Sequence, residues 1–221
     1  MGKDKLRRFA IVKDYPHFFE PALGKEYSGK GKWKEFFGND NPIVLELGCG
    51  KGEYTIGLAK HFPNKNFIGV DIKGSRMYIG AKEALQKEMK NVAFCRTKIE
   101  FILDVFEENE IDEIWLTFSD PQPKKPRKRL TAPIFVDRYK RILKKDGLVH
   151  VKTDSDLLFE FTVDQIKENQ YRPEVISFDL YKEMNDDLDD LTKEILHIQT
   201  HYEKLFKEKG SIIKYAKFRI H

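Results

Sequence analysis

The chain has 221 residues, 40% of them hydrophobic, which suits one soluble globular domain with a full core. Its 40 Lys and Arg against 36 Asp and Glu leave a formal charge of only +4, so a polyanionic partner has to be argued from where charge clusters, not from the total. Cys49 and Cys95 are too few and too unremarkably placed for a disulfide framework or a zinc site, and the charged start (Lys3, Lys5, Arg7, Arg8) is followed by no apolar stretch of signal or membrane-spanning length, so the expectation is a cytoplasmic protein with no metal and no membrane partner.

Up to residue 41 the chain mixes basic and aromatic residues (Arg7, Arg8, Phe9, Tyr15, Phe18, Phe19, Trp33) without a clear period. This reads as an arm, residues 1–41, packed on a domain that spans 42–221. The domain begins with I-V-L-E-L-G-C-G-K-G, Ile43 to Gly52. A short apolar run ends in Gly48, Gly50 and Gly52, and the pattern then turns helical at Tyr54, Ile56, Leu58, Ala59 and Phe62. Strand, tight turn and helix are expected, with glycines where the backbone takes positive φ and a ligand approaches closely. A dinucleotide site would need G-x-G-x-x-G, but Glu53 holds the place of its third glycine. Glu46, at the strand end, suits an ammonium group and would repel a pyrophosphate.

A second strand, near 66–70, ends at Asp71, about 20 residues after the glycines, where such folds place an acid on a ribose diol. Glycine turn, strand-end acid and spacing together resemble the S-adenosylmethionine site of class I methyltransferases. Further strands are expected near 92–96, 111–118 and 147–153, with helices near 53–62, 75–89, 99–107, 133–144 and 155–169. That alternation predicts a parallel sheet covered on both faces. Two late strands, about 172–178 and 212–219, lie around an acidic segment (Asp186, Asp187, Asp189, Asp190) and a helix near 201–209, and form an antiparallel edge. No heptad or apolar stripe is legible, so the oligomeric state is left open.

After the fourth strand comes S-D-P-Q-P-K-K-P-R-K-R-L, Ser119 to Leu130. In an open α/β sheet this is where a reaction site lies, at the carboxyl ends of the strands. Pro121 biases Asp120 away from helix, and Lys124, Lys125, Arg127, Lys128 and Arg129 cluster on a proline-stiffened loop. A charge run on a loop is usually just solvated; beside a methyl-donor site it reads as a contact to RNA phosphates.

The chain from Ile43 to Phe218 resembles the bacterial tRNA (guanine-N7-)-methyltransferases. The resemblance is carried by E-L-G-C-G-K-G at 46–52, F-S-D-P-Q-P-K-K at 118–125, K-R-L-T at 128–131, V-K-T-D at 151–154 and T-H-Y-E at 200–203. It implies a Rossmann-like α/β fold with a mostly parallel seven-stranded sheet and an antiparallel edge strand. It implies S-adenosyl-L-methionine as cofactor, tRNA as partner, and methyl transfer to N7 of a variable-loop guanine. By the same resemblance Glu46, Gly48, Gly50, Gly52, Asp71, Lys98 and Asp120 hold or flank the cofactor, with Asp120 also catalytic. Lys124, Asp154, Thr200, His201, Tyr202 and Glu203 bind the substrate, and Lys125, Arg127, Lys128 and Arg129 take phosphates. The family usually has Trp where this chain has Gln122, and His in the basic run where it has Pro126 and Arg127.

Capping explains some of these residues equally well: Asp154 precedes a helix, and Thr200 and Glu203 have capping-box spacing. Three rival functions also stand. An amino-methyltransferase would want an aromatic residue after the D-P-Q-P prolines. An RNA-binding subunit without catalysis would not need Glu46, Asp71 and Asp120 together, and a nucleotide-dependent oxidoreductase would need glycine at 53.

Overall fold

The computed structural model describes residues 2–183, 195, 196, 198 and 210–221. Among them, eight strands form one sheet: β1 (Phe18–Phe19), β2 (Ile43–Leu47), β3 (Asn66–Asp71), β4 (Val92–Arg96), β5 (Ile111–Thr117), β6 (Leu143–Thr153), β7 (Arg172–Ser177) and β8 (Lys214–Arg219). Their order is β1-β4-β3-β2-β5-β6-β8-β7, parallel from β1 to β6. β8 runs antiparallel between β6 and β7. All seven strands expected from the apolar runs are present. The eighth, β1, is two residues of the arm laid on β4.

Strand order reverses between β2 and β5, because the chain builds outward from β2 to β4 and then returns to the other side of β2. A reversal of this kind opens a crevice at the carboxyl ends of the two central strands. β2 is buried at all five positions, so Glu46 sits inside an otherwise apolar run.

Helices α3 (Glu53–His61) and α4 (Gly74–Gln86) cover one face, and α5 (Pro133–Ile142) and α6 (Asp156–Glu168) the other. Before them lie α1 (Gly2–Val12) and α2 (Trp33–Phe37), and α7 (Leu180–Glu183) follows β7. Each face closes a separate core. One gathers Trp33, Phe135, Tyr139 and Phe159 under the sheet, the other Tyr54, Met77, Phe94 and Trp115. Helix α1 packs along α4, and Phe9 stacks under the Arg96 guanidinium at 4.7 Å. Cys49 and Cys95 are both buried free thiols.

The segment expected as a helix over 99–107 is a shorter 3-10 turn, Ile99–Asp104, interrupted at Phe101 by non-helical dihedrals. The expected helix near 201–209 and the acidic segment at 186–190 lie outside the described residues.

Candidate active site

Three consecutive features place the turn after β2. The amides of Gly48 and Cys49 both donate to the Val70 carbonyl, at 2.8 and 3.0 Å, which pins the turn to the end of β3. Gly48, Gly50 and Gly52 all take positive φ (84°, 56° and 74°), a region that costs an L-residue free energy. The three differ in what surrounds them. A Cβ on Gly48 or Gly50 would point into open space, whereas one on Gly52 would stand 2.5 Å from the Phe94 ring and 3.6 Å from Gly80 of α4. Gly52 therefore lets helix and strand pack; Gly48 and Gly50 leave room for a ligand.

Two carboxylates hold this turn from below. Asp71 accepts from the Gly50 amide at 2.9 Å and the Lys73 amide at 2.7 Å. Glu46, 3% exposed, accepts from the Thr55 amide at 2.8 Å and from the hydroxyls of Thr55 and Thr117. Thr117 closes β5, so this bond spans the two strands of the crevice. Burial pushes the Glu46 carboxyl up to about 7, against the pull of its three donors and with a smaller upward push from Asp71. Thr55 and Thr117 are functional anchors that the sequence reading missed. Thr117 was visible as the residue before F-S-D-P, but only the fold brings it to Glu46.

The crevice encloses about 920 Å³. Its walls include Glu46, Gly48, Gly50, Asp71, Lys98 and Asp120, together with Lys128 and Asp154. So the glycine turn, the residues after β4, the D-P-Q-P loop and the end of β6 all open onto one space. Lys98 is exposed and stands just before the 3-10 turn, whereas the neighbouring Thr97 is buried. Lys51, Lys73 and Arg76 also line the cleft; Lys51 lies within E-L-G-C-G-K-G, whereas Lys73 and Arg76 fall outside every motif.

Asp120 is exposed, and its Oδ1 accepts from the Gln122 amide at 2.9 Å, a local turn closed by the side chain. Gln122 itself has φ of 45°. Asp154 is half-buried, and burial is the main reason its carboxyl is raised. It does not cap α6. Ser155 does, accepting from the Leu158 amide at 3.3 Å, so the capping explanation of Asp154 is removed.

The basic run divides in two. Lys124, Lys125, Arg127 and Lys128 are exposed around a short 3-10 turn, Pro126–Lys128, and none forms an ion pair with another described residue. They border a second hollow of about 620 Å³ that meets the crevice at Glu100, Lys128 and Phe135. Arg129 is turned inward, 5% exposed. Its Nε donates to the Pro121 carbonyl at 3.0 Å and its guanidinium lies 4.6 Å from the Phe161 ring. Packing has claimed it as the loop's tether, so it is corrected from a phosphate contact to a structural residue. Thr200, His201, Tyr202 and Glu203 lie outside the described residues.

Among the described residues no three metal-ligating side chains converge, and no helix is long and apolar enough to cross a membrane. A family model described as "Putative methyltransferase" matches residues 40–216. The chain is 54% identical over 225 residues to the tRNA (guanine-N(7)-)-methyltransferase of Bacteroides thetaiotaomicron, covering 100% of this chain and 87% of that protein. It is 46% identical to the protein of the same name from Christiangramia forsetii, covering 99% of both. Among solved structures, the 16S rRNA methyltransferase KamB superposes with a TM-score of 0.66 at 12% identity, over 92% of this chain and 98% of that one. A SAM-dependent methyltransferase from Aquifex aeolicus does so with a TM-score of 0.57 at 14% identity, over 86% and 89%. With identity this high over nearly the whole length, the chain belongs to the tRNA (guanine-N(7)-)-methyltransferase family.

Proposed function

We propose that the protein methylates N7 of a variable-loop guanine in tRNA, with S-adenosylmethionine as the methyl donor. One observation carries this reading. A glycine cradle with two acids beneath it opens onto a cleft that continues at Lys128 into a second hollow, bordered by four cations without an ion-pair partner among the described residues.

The cradle fits the donor. Gly48 and Gly50 leave empty exactly the volume that side chains would fill, Glu46 offers a carboxylate to an ammonium group, and Asp71 has lone pairs beyond those used by Gly50 and Lys73 for a ribose diol. Lys98 and the backbone before it flank the adenine end. When bound, the donor supplies a sulfonium methyl group to the lone pair of N7.

The chain's own work is then positioning and charge stabilisation. Neutral guanine already carries a lone pair on N7, so no residue has to remove a proton first. Asp120, at the cleft rim, offers a carboxylate where positive charge grows on the imidazole ring of the base. Among the described residues its Oδ2 has no hydrogen-bond partner. Asp154 and Glu203 accept the N1–H and N2–H₂ donors of the guanine edge, helped by Lys124 and by Thr200, His201 and Tyr202. Lys125, Arg127 and Lys128 take backbone phosphates.

The test is to incubate the protein with tRNA and S-adenosylmethionine and map 7-methylguanosine by chemical cleavage at the modified base. A single product in the variable loop is expected. Methylation of an adenine amino group, or donor and tRNA binding without any product, would overturn the reading.

A further inference from the structure

Residues 195, 196 and 198 are held by side chains from three separate elements. The Tyr54 hydroxyl of α3 donates to the Ile195 carbonyl at 3.1 Å, and the Tyr181 hydroxyl of α7 donates to the Leu196 carbonyl at 3.3 Å. Lys152 of β6 reaches the same stretch with its ammonium group. It donates to the Leu196 carbonyl at 2.6 Å and to the Ile198 carbonyl at 3.4 Å. Ile198 also leans on α3 at Gly57, where a Cβ would stand 2.6 Å from Ile198 Cγ2.

Lys152 is 0% exposed. Taking an ammonium group out of water is costly, and the cost is recovered only if the group finds well-placed partners. Among the described residues its partners include two carbonyls and the faces of three rings: Tyr54 at 5.4 Å, Tyr181 at 5.9 Å and Phe118 at 6.0 Å. A methionine would fill the same volume without that cost. The charge is used to hold backbone carbonyls in place.

What it holds is the junction of three motifs. Lys152 belongs to V-K-T-D, two residues before Asp154 of the cleft. Its own carbonyl accepts from the Phe118 amide at 2.8 Å, where F-S-D-P begins. Its ammonium fixes the backbone at Ile198, two residues in sequence before T-H-Y-E.

We propose that Lys152, with Tyr54, Tyr181 and Gly57, clamps the backbone at residues 195, 196 and 198, and that this clamp, two residues before T-H-Y-E in sequence, serves guanine binding. Lys152 is thus a positioning residue for the guanine. This inference rests on methyl transfer to guanine being the reaction. Donor binding does not depend on the clamp, since Lys152 does not line the cleft.

The test uses the full-length protein with Lys152→Met, Tyr181→Phe and Gly57→Ala, each counted by donor binding so that only competent molecules are compared. Amide exchange of peptides covering 195–198 is read first, without RNA, and should quicken in all three variants. The tRNA KM should rise about tenfold in Lys152→Met, the scale of one lost charge-assisted hydrogen bond, with donor affinity and the rate at saturating tRNA nearly kept. Gly57→Ala is informative because alanine favours the helix while displacing Ile198, so a weaker tRNA KM there cannot be laid to loss of α3. Should Lys152→Met fail to fold, the other two carry the same readouts. Unchanged exchange, or an unchanged tRNA KM in every folded variant, would reduce Lys152 to a packing residue. Failure of the wild type to form 7-methylguanosine would instead remove the functional reading, and exchange would still decide whether the clamp exists.

Discussion

Glu46 and Asp120 stand at and just beyond the carboxyl ends of neighbouring strands, yet Glu46 is 3% exposed beneath three donors while Asp120 faces solvent with one backbone amide. The contrast extends to the two walls of the cleft. On the donor wall a glycine turn is pinned by its own amides to Val70 and to Asp71, and the two carboxylates, Glu46 and Asp71, are held in place by hydrogen bonds from the chain around them. On the acceptor wall the functional groups are exposed side chains on a proline-stiffened loop, tethered from inside by Arg129. A small ligand of fixed shape can be met by a site set in advance. A folded polyanion arrives from outside, and its contacts have to project to reach it.

The comparison breaks most sharply at Asp120. If it stabilises charge growing on the base, Asp120→Asn should bind donor and tRNA within a few-fold but lose single-turnover methyl transfer by about 10² to 10³, the scale of one electrostatic stabiliser. The measurement is single-turnover kinetics at saturating tRNA with the fold checked by circular dichroism. A wild-type rate would make Asp120 only the closure of its own turn with Gln122.

The same contrast explains how much was legible in the sequence. The donor wall is local: E-L-G-C-G-K-G and Asp71 lie within one β-α-β unit, so glycine chemistry and spacing predicted both the turn and its acid. The sheet was legible for a similar reason, since seven of the eight strands described contain a short apolar run between amphipathic stretches, and only the two-residue β1 left no such signal. What pairing across the sheet creates was not. Thr117 reaches Glu46 only because β5 lies beside β2, and Lys152 reads as one more charged residue until β6 buries it. Arg129 looked equivalent to its neighbours, and its burial against the Pro121 carbonyl and Phe161 of α6 shows that it points inward. The capping role assigned to Asp154 as an alternative failed by one residue, because Ser155 offers a hydroxyl at the position the helix starts from.

The acceptor wall can be tested as a set. Replacing Lys124, Lys125, Arg127 and Lys128 by neutral residues should flatten the salt dependence of tRNA binding, each lost phosphate contact lowering the log–log slope by about 0.7 to 0.9. Over a fourfold change in salt, the three phosphate contacts of Lys125, Arg127 and Lys128 amount to about 20- to 40-fold in affinity. Donor affinity should not move. Arg129→Ala belongs to the other class and should lower thermal stability with little change in slope. Its guanidinium is already committed to Pro121 and Phe161, so equal slope losses from Arg129 and from Lys125 would mean the loop reopens on RNA.

The smallest effect sharpens the donor wall. Burial holds the Glu46 carboxyl at about 7 against its ordinary 4.5, so the free protein takes up a proton there as pH falls through neutrality. A cationic ammonium favours the ionised form. Donor affinity should therefore be level above about pH 7 and fall by up to tenfold for each pH unit below it, with proton release on binding that calorimetry in buffers of different ionisation enthalpy can count. The linked stability has the opposite sign. A raised carboxyl pKa means the folded chain holds the proton more tightly than the unfolded one, so this group's contribution is fully present below 4.5 and is lost as pH rises to about 7. Glu46→Gln should abolish both dependences, keeping hydrogen bonds to Thr55 and Thr117 but offering no charge to the donor. A pH-independent affinity in the wild type would show that Thr55 and Thr117 keep the carboxylate ionised throughout, and that three donors outweigh its burial.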